Sequence, residues 1–322
     1  MKYLAGIFSI FFLHISIAAA ATVTLRLGHI AEVDNPYAQG AIHFAELVQK
    51  QSKGQMVISV HPAGELGSQS DLIQGIADGT VDMALTSSAV LANYVPEISL
   101  FDLPFLFRDR QHVYKALDTI GMELSRKGES RGIITLAFWE NGIRQMTNNV
   151  RPIANPEDMK GLRMRVMEQP ICIEMMKILG ARPIPMSITE LYDALKNATV
   201  DGQENPLAHI ATKHYYEVQK YLSLTSHTYT AETLLFSTKT WHKLTPEQQK
   251  ILTEAANETR DWQRALCVDQ EKFFLQVIRE SGKCQIIEKI DKEAFRKVTH
   301  ATWEIYSKLF GNTDLKRVVE LQ

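Results

Sequence analysis

The sequence predicts an α/β protein of two discontinuous domains tied together by one long helix. Three observations predict it. Strand-like and helical runs alternate from residue 23 to residue 86, a second series of the same style runs from residue 162 to residue 206, and the stretch Pro246–Ser281 contains no glycine or proline after its first residue. Alternation of this kind means parallel strands joined by crossover helices. About 300 residues remain once the N-terminal segment is set aside, enough for two domains of ordinary size with filled cores.

The elements follow in order. Met1 to Ala21 has one early cation, Lys2, an apolar run from Tyr3 to Ile17, and the small residues Ala18, Ala19, Ala20 and Ala21. This is the pattern of an export signal, and the run is shorter than the roughly 20 residues of a membrane-spanning helix, the alternative reading. The mature chain is expected to be extracytoplasmic (periplasmic) and to start near Ala21 or Thr22. Val23–Ile30 reads as a strand, Tyr37–Ser52 has helical spacing, Met56–Val60 is a strand, Gln69–Asp78 a helix and Val81–Thr86 a strand. In open sheets of this type ligands sit at the carboxyl ends of the strands, which turns the loops Gly28–Asn35, Gly64–Gln69 and Thr86–Ser88 toward the crevice. The aromatic segment Leu100–Phe107 reads as a buried irregular turn, Gln111–Arg126 as a helix and Ile133–Phe138 as a strand.

Trp139–Arg144 then crosses to the second series: strand Leu162–Val166, helix Pro170–Leu179, short strand Arg182–Pro185, helix Ile188–Asn197 and a turn at Asp201–Pro206. The extended run His227–Ser237 carries the chain back toward the first domain. The expected division is 22–141 with 231–270 for one lobe and 142–230 with 271–322 for the other. Thr245-Pro246-Glu247 starts the long helix. At roughly 1.5 Å per residue it would be about 50 Å long, whereas a domain of about 130 residues is only about 35 Å across. Unless it kinks or breaks, it lies along both domains. Its apolar residues Ile251, Ala255, Trp262, Leu266, Phe273 and Val277 recur at helical intervals.

Composition excludes several function classes. The net charge is −2 and Lys and Arg are scattered, which does not support a nucleic-acid surface. Cys172, Cys267 and Cys284 show neither an even count nor close pairing, so a disulfide framework or zinc site is not expected; at most one bridge can form, and buried free thiols are expected. Enzyme motifs are missing as well: there is no G-x-S-x-G elbow, H-E-x-x-H metal spacing, P-loop or G-x-G-x-x-G fingerprint. Ser87 with His227 is the pair a hydrolase reading would need, and nothing in the sequence brings the two together. No catalytic residue, metal or cofactor is expected.

The most informative block runs from Leu162 to Pro206. It places Arg165 on a strand, in Gly161-Leu162-Arg163-Met164-Arg165-Val166, and closes with Asp201-Gly202-Gln203-Glu204-Asn205-Pro206. A guanidinium offers a fixed fork of donors that fits a carboxylate bidentately, and an amide side chain before a proline is placed to hold a second polar atom. The block reads as a site for a small anion.

Taken together with Pro185-Met186, Glu190–Leu195, Asn141–Gln145 and Gly64–Gly67, these motifs resemble, over essentially the whole mature chain, the extracytoplasmic solute receptors of tripartite ATP-independent periplasmic (TRAP) transporters, of the dicarboxylate-receptor (DctP) type. The resemblance implies a periplasmic-binding-protein-like two-lobe clamshell with a long helix across both lobes, closing on a small carboxylate solute and presenting it to the permease subunits in the membrane. It implies that Arg165 binds the solute carboxylate, helped by Arg144 and Asn205, and that Gln69, Ser87, Glu168 and Glu232 contact the rest of the solute. Bland readings stand beside these: Arg165 as an edge-strand surface residue, Arg144 paired with a structural acid such as Glu140, and Asn205 capping a helix that begins at Pro206. Where many members have a proline directly after the valine, this chain has Val166-Met167-Glu168-Gln169-Pro170. An acid near the anchoring arginine would repel a second carboxylate and accept bonds from sugar hydroxyls. Glu32 fits the same idea, so a uronate or aldonate is favoured over a C4-dicarboxylate. A ligand-sensing subunit serving a membrane receptor is the reading of a different class.

Overall fold

The computed structural model describes residues 22–321; the expected export signal lies outside the described residues. Ten strands form among the described residues: β1 Val23–Gly28, β2 Met56–His61, β3 Met83–Ser87, β4 Ile133–Asn148, β5 Arg163–Val166, β6 Arg182–Pro185, β7 Gly202–Pro206, β8 Tyr221–Ser223, β9 Tyr229–Ser237 and β10 Gln285–Ile287. Their order is β2-β1-β3-β9-β4-β7-β5-β6, with β8 joining β4 to β10. β2, β1 and β3 are parallel neighbours and so are β7, β5 and β6. Between these two parallel groups lie β9 and β4, paired antiparallel.

The connection between lobes follows from β4. Its first part pairs with β9 from Ile133 to Ile143, and its second part pairs with β7 from Arg144 to Asn148. One 16-residue strand therefore joins the two halves of the sheet. A register shift falls between Glu140 and Gly142, and Gly142 has φ +130°, a conformation that residues with a side chain rarely adopt. The bend lies where β4 changes partner from β9 to β7. Gly202 is required for a different reason: a Cβ there would sit 2.1 Å from the Thr147 carbonyl oxygen, so only glycine lets β7 approach β4 this closely.

The long helix is continuous from Pro246 to Ser281 and spans about 54 Å. A Thr245–Gln248 capping box starts it and Gly282, at φ +63°, ends it. Its buried stripe is Leu252, Ala255, Thr259, Gln263, Cys267, Phe274 and Ile278; Trp262 and Phe273, counted in the sequence stripe, are exposed. Polar Gln263 and Arg264 are buried because they bond rather than because they are apolar. Gln263 clips the bend of β4, accepting from the Glu140 amide at 2.8 Å and donating to its carbonyl at 2.8 Å. Arg264 forks onto Asp118 at 2.8 Å through each nitrogen and reaches the Phe138 carbonyl at 2.6 Å.

One expectation changes. Gly202–Pro206, expected as a turn, is a fully buried strand. Residues 301–320 form two helices, Ala301–Phe310 and Thr313–Glu320, whose Tyr306, Leu315 and Val318 share an apolar cluster with Leu72, Phe101, Leu117 and Ile171. Leu100, Phe101, Leu103 and Leu106 are buried as expected of that segment. The three cysteines are free and buried.

Candidate functional site

Arg165 lies on β5 with 3% of its surface exposed. Its Nε donates to the Met186 carbonyl at 2.9 Å, and its buried Nη1 has no partner. The neighbouring Arg163 behaves differently: Asp201 and the carbonyls of Ala198 and Thr199 occupy its guanidinium. A buried cation with an open donor edge costs stability, since charges taken from water require partners. Burial in turn pulls the Arg165 pKa down from its ordinary value.

Arg144, two residues after the bend of β4, is saturated. Its Nε and Nη2 form a two-pronged pair with Glu204, with Nη2 at 2.9 Å from Oε1; Nη2 also meets the Glu204 carbonyl at 2.6 Å and Asn205 Oδ1 at 3.2 Å, and Nη1 lies 3.5 Å from Thr230 Oγ1. His227 Nε2 lies 3.5 Å from the same Glu204 carboxylate, and its Nδ1 shares a 2.8 Å bond with Thr225. Burial raises the Glu204 pKa, but Arg144 and His227 outweigh it and hold the carboxyl at about 2. The structural acid for Arg144 is thus Glu204, while Glu140 pairs with Arg110 at 3.0 Å. Asn205 caps no helix: β7 runs through Pro206, the next helix starts at Leu207, and Asn205 Nδ2 donates to Gln203 at 2.5 Å.

The other expected residues fall into three groups. Glu168 is exposed at the rim of a narrow cleft, beside Gln69, Ser70, Arg165 and Ser187, and only its carbonyl is engaged, accepting from Asn93 at 2.7 Å. Gln69 Oε1 accepts from the Ser87 amide at 2.6 Å, and Ser87 Oγ caps the short helix Ser88–Leu91 while lying 3.7 Å from Met167 of the other lobe. Glu32 pairs with Lys213 at 2.9 Å, linking the loop after β1 to the end of the helix Leu207–Thr212. Glu232 is fully buried on β9; its Oε2 accepts from Asn141 at 2.6 Å and its Oε1 has no partner. Ser87 and His227 share no contact, and His227 is committed to Thr225 and Glu204.

Sequence reasoning missed a second set. Tyr37 and Tyr215 hydroxyls, His209 Nδ1 and both nitrogens of His29 are buried without partners. His29 and His209 pack edge-on against Tyr37 at 5.8 and 5.5 Å between ring centres. Arg165 and Arg144 act electrostatically on Tyr215 and His209, and Glu232 acts on Tyr37, so these groups share one neighbourhood. Buried polar atoms are almost always paired, and a convergent set that is not requires an explanation. Only His29 had a sequence signal, at the carboxyl end of β1; His209 and Tyr215 look like ordinary residues of an apolar helix and its flank. Burial drives His29 to about 4 and His209 well below the usual histidine range, so both are neutral hydrogen-bonding groups.

Residues 27–309 match the family model of bacterial extracellular solute-binding protein, family 7 (DctP). The chain belongs to this family. It is 35% identical over 281 residues to the 2,3-diketo-L-gulonate-binding periplasmic protein YiaO of Escherichia coli K12, covering 87% of this chain and 85% of that protein. The crystal structure of a TRAP periplasmic solute-binding protein from Polaromonas sp. JS666 bound to D-erythronate superposes with a TM-score of 0.90 at 36% identity, over 93% of this chain and 99% of the other. Another, from Sulfurospirillum deleyianum with bound succinate, has a TM-score of 0.90 at 30% identity, over 94% and 100%. The family 7 receptor is a two-lobe clamshell and a solute-binding protein, not an enzyme. Its family binds small carboxylates and works with membrane permease components. No helix among its described residues is long and apolar enough to cross a membrane.

Proposed function

We propose that this receptor binds a polyhydroxylated monocarboxylate, a uronate or aldonate, between its lobes and delivers it to a TRAP permease after export to the periplasm and removal of the N-terminal signal. The observation that carries this reading is the unpartnered guanidinium edge of Arg165 in a buried neighbourhood whose other unpartnered groups, Tyr37, Tyr215, His29 and His209, are neutral. One carboxylate satisfies the first and hydroxyls satisfy the rest. Arg144 would act through position: clamped by Glu204, it holds Asn205 and the bend of β4 in register. The relatives that bind 2,3-diketo-L-gulonate and D-erythronate support a sugar acid, and the succinate-binding structure supplies the competing chemistry.

A thermal-shift screen of the mature protein against aldonates, uronates, succinate and sialic acid tests this. A solute at about 100 times its Kd stabilises the folded state by about 2.7 kcal/mol. Shifts with sugar acids and none with succinate are expected; shifts with succinate alone would overturn the substrate class.

Glu32 is proposed as a latch rather than a solute contact. Its carboxylate is 40% exposed and already paired across the lobes. Exposed pairs contribute about 0.2–1 kcal/mol, so Glu32→Ala and Lys213→Ala are each expected to weaken binding less than about fivefold by calorimetry. A loss greater than about tenfold for Glu32→Ala alone would place that side chain on the solute.

A further inference from the structure

A second cavity, of about 240 Å³, lies beside the crossing strands and away from the candidate solute site. Its wall includes Ile143 of β4 and Tyr229 of β9, partners in the sheet register. Successive residues of a strand point to opposite faces, so this pair lies on the face away from Arg144 and Thr230, which approach each other at 3.5 Å. The cavity shares no lining residue with the cleft beside Arg165. Its wall is largely apolar and aromatic: Leu103, Leu106 and Val113 are buried, and Phe107 meets Tyr229 edge-on at 6.2 Å between ring centres. Tyr229 is buried with no partner for its hydroxyl. Two wall residues hold a costly backbone, Phe105 at φ +52° and Ser226 at φ +47°, in the left-handed region favoured by glycine. The Phe105 amide donates to the His227 carbonyl at 2.9 Å and ties the two segments together. Glycine would relieve the strain at 105, yet a phenyl ring is held there, with the Arg296 guanidinium over it, 5.5 Å from the ring centre.

The cavity's charged residues are mostly cations. Arg108, Arg110, Lys292 and Arg296 line it against one carboxylate, Asp109. Asp109 caps the helix Arg110–Ala116, and Arg110 is spent on Glu140 and Glu271. Arg108 donates to the carbonyls of Val319 and Leu321, which carry no countercharge, and Arg296 has an exposed acid, Glu293, at 3.7 Å. Exposed pairs of that length are weak, so positive charge remains at the mouth of an apolar, aromatic cavity. The volume falls below the roughly 300–1,000 Å³ of drug-sized pockets and suits a single ring. We propose that this cavity is a second ligand site, independent of the receptor reading above, and that it takes a small aromatic carboxylate. The carboxylate meets Lys292 and Arg296, the ring packs against Phe105 and Phe107, and a ring hydroxyl pairs with Tyr229.

The test is calorimetric titration of the mature protein with 4-hydroxyphenylacetate, alongside acetate and phenol as the acid group and the ring alone. Saturable binding is expected, with acetate and phenol each at least about tenfold weaker. Replacing the exposed pair, Lys292→Ala with Arg296→Ala, should weaken it about tenfold or more. Phe105→Gly, which removes the ring and suits the φ at that position, should cost about fivefold, and Arg165→Ala less than about twofold. Melting curves establish that the variants are folded. Absence of saturable binding, or unchanged affinity in the Lys292→Ala, Arg296→Ala double variant, would overturn the assignment. So would a loss confined to Arg165→Ala, which would put the probe in the solute cleft instead.

Discussion

Arg165→Ala is expected to raise the Kd for the preferred acid by two to three orders of magnitude. Removing one partner of a buried, hydrogen-bonded charge pair costs about 2–5 kcal/mol, about 30- to 5,000-fold in Kd. Arg165→Lys should recover only part of this, because an ammonium is a point charge without the planar fork. The unliganded protein supplies a second readout. Arg165 is buried with its Nη1 unpaired and its Nε on the Met186 carbonyl, so its loss removes an unfavourable buried charge at the expense of one hydrogen bond. The ligand-free variant is therefore expected to melt no lower than wild type. A binding residue held against stability behaves this way; a structural one does not. A melting temperature lowered by several degrees with binding intact would assign Arg165 to the scaffold.

Glu204→Ala is expected to produce the largest loss of stability, about 3–5 kcal/mol, because it leaves Arg144 charged, unpaired and 1% exposed. Denaturant unfolding measures it. Replacing both members, Arg144→Met with Glu204→Met, should recover most of the loss, since a buried pair roughly balances its own desolvation. The pH dependence has a definite sign. The Glu204 carboxyl titrates at about 2 in the folded protein against an ordinary 4.5, so its contribution is complete above about pH 4.5 and is lost as pH falls toward 2. Wild type should show this acid limb, and Glu204→Gln should lack the part due to this group. The site would suffer as well. Arg144 also holds Asn205, and it stands two residues beyond the glycine at which β4 bends, so a weakened pair loosens both Asn205 and the bend.

Much of the architecture was legible because it depends on local pattern. The helices Pro36–Gln51 and Gln69–Asp78 carry their own signals: Asn35 caps the first and a Ser68–Asp71 capping box starts the second. The long helix announced itself by the absence of glycine and proline, and Thr245 and Gly282 bound it. Its inward face was less legible. Gln263 and Arg264 face the core because β4 presents a bend and backbone groups for them to bind, a reason that exists only once both elements are in place. The stripe chosen by apolarity therefore included Trp262 and Phe273, which are exposed.

Local pattern in the sequence sets the two strand-helix series, the long helix free of internal glycine and proline, and an arginine on a strand beside a conspicuous polar block. Each of these is set by residues within a few positions of one another. Tertiary structure alone decided what the polar block does. Gln203, Glu204 and Asn205 looked like a turn, yet they form a buried strand because Thr147, Arg144 and His227, far away in the chain, satisfy them. It also decided that Glu168 stands at the rim while His209 and Tyr215 face inward, and that Glu232 is left with one open oxygen. Hydrogen-bond satisfaction depends on three-dimensional neighbours and not on spacing, so buried atoms left unpaired become visible only when every other buried polar group has been matched.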